Sequence, residues 1–288
     1  MRRRDFILSA LACGSSAAFG AEPRRIVSLS PPLTEILYGI GAFSRVVAVT
    51  EYCTYPPEAK ALPKVGGWST PSVERVASFR PDLVVLADAQ KPFVKDQLDE
   101  LGIPAVIVPG KTIRDVYTAI RDLGKATGNH SQAEALIERI RARLEQVRRR
   151  AAGLPHPTVL CIVDRTPGTL REMYAATQGS FLAELIAIAG GTVSGAPARA
   201  GYGQVGTEAV LALDPDIILD LTAAAKGAGP NALAAWRELP ELRAVRQNKV
   251  YPVTEEFVPH ASQMIARTAA LFARLLHPGV PQSEWEIQ

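Results

Sequence analysis

The sequence predicts an α/β protein of two doubly wound, Rossmann-like lobes joined by a single long α-helix. Three observations carry that prediction. Short apolar runs of strand length alternate with helix-period patterns, the rhythm of a parallel sheet with crossover helices. That rhythm stops near residue 130, gives way to a long amphipathic helical pattern, and restarts at residue 158. A segment of the first half also recurs in the second half at a constant offset of 134 residues.

In order along the chain, residues 25–29 read as a strand and 33–40 as a helix ending at Gly41. Residues 46–49, 83–86 and 105–108 read as further strands, with helices over 94–101 and 113–127. Residues 131–152 place Ala133, Ile137, Ile140, Leu144, Val147 and Ala151 at helical spacing. Ser131 and Glu134 suit a capping box there, and Gly153 and Pro155 stop the element. A helix of that length spans about 33 Å at 1.5 Å per residue. It is stiff, so it holds the lobes at a nearly fixed separation. Its many arginines read as a solvated face. Strands over 158–163, 217–219 and 250–253 and helices over 181–189 and 261–276 follow, and residues 279–288 read as a tail. The repeat pairs Glu74, Val76, Pro81 and Asp82 with Glu208, Val210, Pro215 and Asp216. The resulting division is 22–130 for the N-terminal lobe, 131–153 for the connecting helix and 154–278 for the C-terminal lobe.

Residues 1–21 read as an export signal, with Arg2, Arg3 and Arg4 before a short apolar stretch and small residues near Gly20 and Ala21. Arg3 and Arg4 resemble a twin-arginine signal, and the stretch ending at Cys13 faintly resembles a lipoprotein box. The whole chain of 288 residues has 32 basic and 29 acidic side chains, but removal of the signal leaves 29 and 28. A near-neutral chain without a basic stripe is no nucleic-acid binder. No apolar run is long enough to span a membrane. After the signal only Cys53 and Cys161 remain. Cys161 reads as a core thiol and Cys53 as a small loop residue, so stability is expected from packing rather than a disulfide.

The motifs are similar to those of helical-backbone periplasmic binding proteins, the receptors of ABC importers for metal chelates, haem, siderophores and corrinoids. Residues 26–35 resemble the first strand and loop of that family. Tyr52, Tyr55, Pro56 and Pro57 resemble the Tyr-x-x-Tyr-Pro-Pro segment of its vitamin B12-binding branch, and Gly67-Trp68 its Trp loop. Tyr202 matches the second-lobe aromatic. The resemblance covers about residues 24–276. It implies a periplasmic, monomeric receptor without catalysis. Its expected partners are an inner-membrane ABC permease, that permease's ATPase, and a small chelate such as a cobalt corrinoid. Haem or a ferric siderophore is the alternative ligand, ahead of a free metal ion. It also implies that Glu74 and Glu208, one on each lobe, dock onto the permease. As helix-opening carboxylates, both equally suit the positive end of a helix dipole.

Ligands of open α/β sheets bind beyond the carboxyl ends of the strands. This places Ser30, Pro31, Pro32, Tyr52 and Trp68 of the first lobe around a cleft. From the second lobe it adds Asp164, Arg165, Tyr202, Glu255, Phe257 and His260, with Glu255 or Glu256 as the acidic neighbour of His260. Aromatic walls with few polar groups suit a flat macrocycle. His260 has two readings, an axial ligand to a chelated metal or a hydrogen-bonding residue at a helix start. No phosphate loop, nucleophile elbow or His-Glu-x-x-His motif is present, so no catalytic residues are assigned.

Overall fold

The computed structural model describes residues 22–195, 201–222 and 231–286. The export-signal reading, and Cys13 with it, lies outside those residues. The chain forms the expected two α/β lobes with one long helix between them. In the first lobe β1 (Ile26–Ser28), β2 (Val46–Val49), β3 (Leu83–Ala87) and β4 (Ala105–Val108) make an all-parallel sheet in the order β2-β1-β3-β4. Their residues are mostly buried, as strands covered on both faces require. Helices α1 (Pro31–Gly39), α2 (Val73–Ser78), α3 (Lys91–Glu100) and α4 (Ile113–Thr127) cover the sheet. Pro31 and Pro32 open α1 because a missing N–H costs nothing in a first turn. Thr112 and Asp115 form a capping box at the start of α4, and Gly128 at φ 73° ends it.

The connecting helix α5 (His130–Ala151) begins at Asn129. Ser131 therefore lies inside it rather than at its cap, and Glu134 instead takes the Arg121 guanidinium at 2.7 Å. The arginine face is solvated as expected, with Arg141, Arg148 and Arg149 paired to Glu138 and Glu145 on the same helix.

The second lobe departs from a purely parallel sheet. β5 (Thr158–Asp164), β9 (Ile217–Asp220) and β10 (Val250–Pro252) are parallel. The pairs of β6 (Met173–Ala176) with β5 and with β8 (Tyr202–Val205) are antiparallel. The short β7 (Thr192–Val193) runs parallel to β5. Helix α6 (Phe181–Ile188), α7 (Thr207–Leu213) and a last long helix (Ile265–Leu276) pack on this sheet. The segment read as a tail does not hang free. Trp285 is buried and stacks on His277 at 5.9 Å, and His277 Nε2 lies 2.8 Å from the Ala189 carbonyl oxygen.

One apolar core runs through both lobes, built around α5 and the last helix and drawing residues from α1, α4 and α6. Two smaller cores fill the outer faces of the two sheets. Where the lobes meet, the Phe181 N–H donates to the Lys111 carbonyl at 2.7 Å. The Glu184 carboxylate accepts from the Ile113 N–H at 2.7 Å, so a side chain of one lobe caps a helix of the other. A shared core and cross-lobe caps make the lobes one stiff frame. Among the described residues no helix is long and apolar enough to cross a membrane.

Candidate functional site

A cavity of about 1100 Å³ opens between the lobes, at the carboxyl ends of both sheets. Of the residues expected there, Ser30, Pro31, Pro32, Tyr52, Trp68, Tyr202 and His260 line it. Ser30 is the residue before α1, and its hydroxyl oxygen is buried with no hydrogen-bond partner in the protein. Behind it Thr34 Oγ1 donates to Ser28 Oγ at 2.8 Å and lies 3.3 Å from Cys53 Sγ. Thr50 Oγ1 is also 3.3 Å from that sulfur. Cys53 is thus a core residue anchoring the root of its loop, and burial pushes its thiol pKa up. Its neighbour Tyr52 is 59 % exposed and stands over the cavity. Cys161 is buried in β5, and both thiols are free.

Gln90 positions the Trp68 loop. Its amide donates to the Trp68 carbonyl at 2.8 Å and to the Leu29 carbonyl at 2.7 Å, and its oxygen accepts from the Ala87 N–H at 3.1 Å. Gly66, at φ 108°, makes the tight turn into that loop, where an added Cβ would meet the Thr70 carbonyl at 2.7 Å. The Trp68 ring then meets Phe93 edge-on at 6.2 Å. From the other lobe, Tyr202 projects from β8 and burial raises its phenol pKa strongly. Phe181 at the start of α6 adds a second apolar wall.

Four expected residues lie elsewhere. Arg165 is fully buried, paired through Nη2 with Asp220 Oδ2 at 2.8 Å, and its Nη1 donates to the Thr169 carbonyl at 2.7 Å. The guanidinium is turned into the lobe by that partner, which sequence spacing does not show. Asp164 lines a separate 360 Å³ hollow with Glu172 and Tyr174. Glu255 lies 4.0 Å from Arg274, away from the cavity. Phe257 packs on the core with the Arg267 guanidinium 4.8 Å above its ring. Glu256 takes the place expected for Glu255: it lines the cavity, and Thr54 Oγ1 of the other lobe donates to its Oε2 at 2.8 Å.

Sequence reasoning also missed Asp88, Pro109, Gly110 and Lys111, which line the cavity after β3 and β4. The carboxyl-end rule finds them when it is applied to every strand. Glu35 carried no such signal. It lies inside α1, 3 % exposed, with Oε1 2.6 Å from His260 Nδ1. Glu74 and Glu208 are both exposed in the first turns of α2 and α7. Among the described residues no three His, Cys, Asp or Glu side chains cluster as a metal site. The cavity offers apolar walls, scattered polar groups and the imidazole of His260.

Two α/β lobes on one long helix, with a cleft at the facing strand ends, are the architecture of a solute-binding protein. The chain belongs to the periplasmic binding protein family, whose sequence pattern matches residues 26–256. It is 28% identical over 264 residues to YvrC of Bacillus subtilis, an uncharacterized ABC transporter substrate-binding lipoprotein, covering 89% of this chain and 81% of that one. Its structure is similar to that of the periplasmic vitamin B12 binding protein BtuF of Vibrio cholerae. That match has a TM-score of 0.74 and 26% identity and covers 89% of this chain and 98% of the other. It is also similar to the periplasmic heme-binding protein RhuT of Roseiflexus, at TM-score 0.75 and 25% identity, covering 91% and 99%.

Proposed function

We propose that the protein is the exported receptor of an ABC importer and captures a corrinoid between its lobes without altering it chemically. The observation that supports this reading is the large, aromatic-walled cleft in which Tyr52, Trp68 and Tyr202 face a single imidazole, His260. Flat macrocycles bury their faces against aromatic and apolar walls and leave their polar edges to a few side chains. Here Lys111, Asp88 and Glu256 offer such edge contacts. The likeness to vitamin B12-binding proteins favours a corrinoid among chelates, and the likeness to heme-binding ones supports haem as the second reading. The resemblance-based partners are an inner-membrane permease and its ATPase, met by a monomer through Glu74 and Glu208. His260 is the candidate axial ligand, since imidazole suits cobalt and iron alike.

Titrating the purified protein with cobalamin, cobinamide, haem and ferric siderophores, followed by absorbance, tests the reading. A corrinoid is expected to bind most tightly. Tighter binding of haem gives the second reading, and no affinity for any tetrapyrrole overturns both.

A further inference from the structure

Glu35 is the one charged residue of α1 and it is buried. Its partners all come from the other lobe. Oε1 is 2.6 Å from His260 Nδ1, Oε2 accepts from Ser262 Oγ, and its backbone carbonyl accepts from Gln263 Nε2 at 2.6 Å. Gly39, a turn later on α1, makes this approach possible, because an added Cβ would meet Leu136 at 2.9 Å and the Gln263 amide at 3.3 Å. A buried carboxylate is tolerated only when its oxygens are filled by donors, and here segment 260–263 fills both.

A carboxylate only accepts hydrogen bonds, so the ring nitrogen facing it must carry the hydrogen. In a neutral imidazole the lone pair then sits on the other nitrogen. His260 lines the cavity, and with Nδ1 held by Glu35 the nitrogen left for a ligand is Nε2. We propose that Glu35 is a positioning residue: an inter-lobe carboxylate that fixes the tautomer and ring plane of His260. It thereby makes the cleft selective for metal chelates with an exchangeable axial site. A carboxylate behind a ligating imidazole also raises its basicity as a donor. The inference rests on the proposed chelate ligand, but the tautomer it requires is a property of the ligand-free protein.

Two measurements test it. Nitrogen NMR of the histidine rings in the ligand-free protein, assigned with His260→Ala, is expected to show His260 with N–H at Nδ1 and a bare Nε2. Glu35→Leu is expected to move the population to the Nε2–H form. A folded Glu35→Leu protein that keeps the wild-type tautomer overturns the proposal. The second compares diaquacobinamide, whose axial waters exchange, with dicyanocobinamide, whose axial sites are blocked. Glu35→Met, which keeps the side-chain length without an oxygen acceptor if leucine prevents folding, is expected to weaken binding of the aqua form about 10–100-fold more than that of the dicyano form. Equal losses for both forms overturn the proposal. Failure of the wild-type protein to bind either cobinamide counts against the corrinoid reading, and the NMR result still decides the role of Glu35.

Discussion

The two copies of the internal repeat fold alike and are furnished differently. In each, a short helix ends at a residue with a side chain held in the left-handed region, Arg80 at φ 46° and Asp214 at φ 34°. A Pro-Asp pair and a buried strand follow in both copies. The Asp then accepts from the backbone at the start of its lobe's first strand. Asp82 accepts from the N–H groups of Arg24 and Arg25 at 2.8 and 2.9 Å, and Asp216 accepts from the Thr158 N–H at 2.9 Å and from the Thr158 hydroxyl at 2.8 Å. The repeat therefore encodes a joint between a helix and two strands. What differs is what was added to the joint. The second lobe has Arg243, reaching Asp216 at 2.5 Å and Asp214 at 3.2 Å, and it has the Asp220–Arg165 pair where the first lobe buries Leu86. The first lobe instead has a capped helix start at Ser72, where the second has Gly206.

The largest effect expected of this pairing is on transport. If the repeat exists to present one carboxylate per lobe to the permease, Glu74→Ala with Glu208→Ala abolishes uptake in whole cells while ligand affinity of the purified protein stays unchanged. Intact uptake with intact binding breaks the functional half of the comparison. Either single variant is expected to leave partial uptake.

The next largest is on stability. Asp220 and Arg165 are both fully buried, and Asp220 also accepts from Trp236 Nε1 at 2.8 Å and from the Thr222 N–H at 3.1 Å. Removing one member of such a pair strands the other charge and costs about 3–5 kcal/mol. Asp220→Ala is expected to lose that much in urea unfolding. Asp220→Leu with Arg165→Met, which makes this joint resemble the apolar one at Leu86, is expected to recover most of it. A double variant no better than the single shows that the pair is not what distinguishes the lobes.

A smaller effect is expected at the second lobe's Pro-Asp joint in acid. The Asp216 pKa is held below the ordinary carboxylate range, first by the Thr158 backbone N–H and then by the Thr158 hydroxyl and Arg243, against a desolvation that raises it. A group whose folded pKa is depressed stabilises fully above its unfolded value, about 3.9, and loses that contribution as pH falls through the folded value. Asp216→Asn is therefore expected to be less stable than wild type near pH 6, with the gap closing below about pH 4. A gap that stays constant into acid removes Asp216 as a source of the lobe's acid sensitivity.

The sequence-readable parts are those written in local pattern. Continuous apolar runs located most strands, and helix α4 begins and ends where its cap and Gly128 indicate. The rim of the cleft followed from strand ends. The antiparallel pair β6 and β8 was invisible because neither carries a β-branched run: Met173–Ala176 reads Met-Tyr-Ala-Ala, and Tyr202–Val205 contains Gly and Gln. Trp285 was hidden among polar residues and Pro, and only its stacking on His277 reveals it as core. Glu35 was unreadable for a deeper reason. A lone glutamate in a helix reads as solvated, and its partners lie 225 to 228 residues away. Neighbours such as Glu255 and Glu256 differ only in which way a turn points them, which spacing alone does not decide.

The smallest effects lie at the helix starts that carry Glu74 and Glu208. Ser72 Oγ accepts from the Arg75 N–H at 3.2 Å and satisfies one of the first-turn donors of α2. Gly206, 134 residues later, has no side chain to do this for α7, although its backbone at φ −90° and ψ 165° is the extended conformation of an N-cap. A Cβ built at Gly206 meets nothing within 4 Å, so a serine there is accommodated without strain. Ser72→Ala is expected to cost about 1 kcal/mol, and Gly206→Ser to gain a few tenths of a kcal/mol from the cap together with a smaller loss of chain entropy on folding. Paired urea melts of the two variants measure the difference directly. A gain at Gly206→Ser makes the second helix start behave like the first and shows that the two copies share one capping geometry. A loss there shows instead that α7 begins differently, and that glycine is required where Glu208 leaves the lobe.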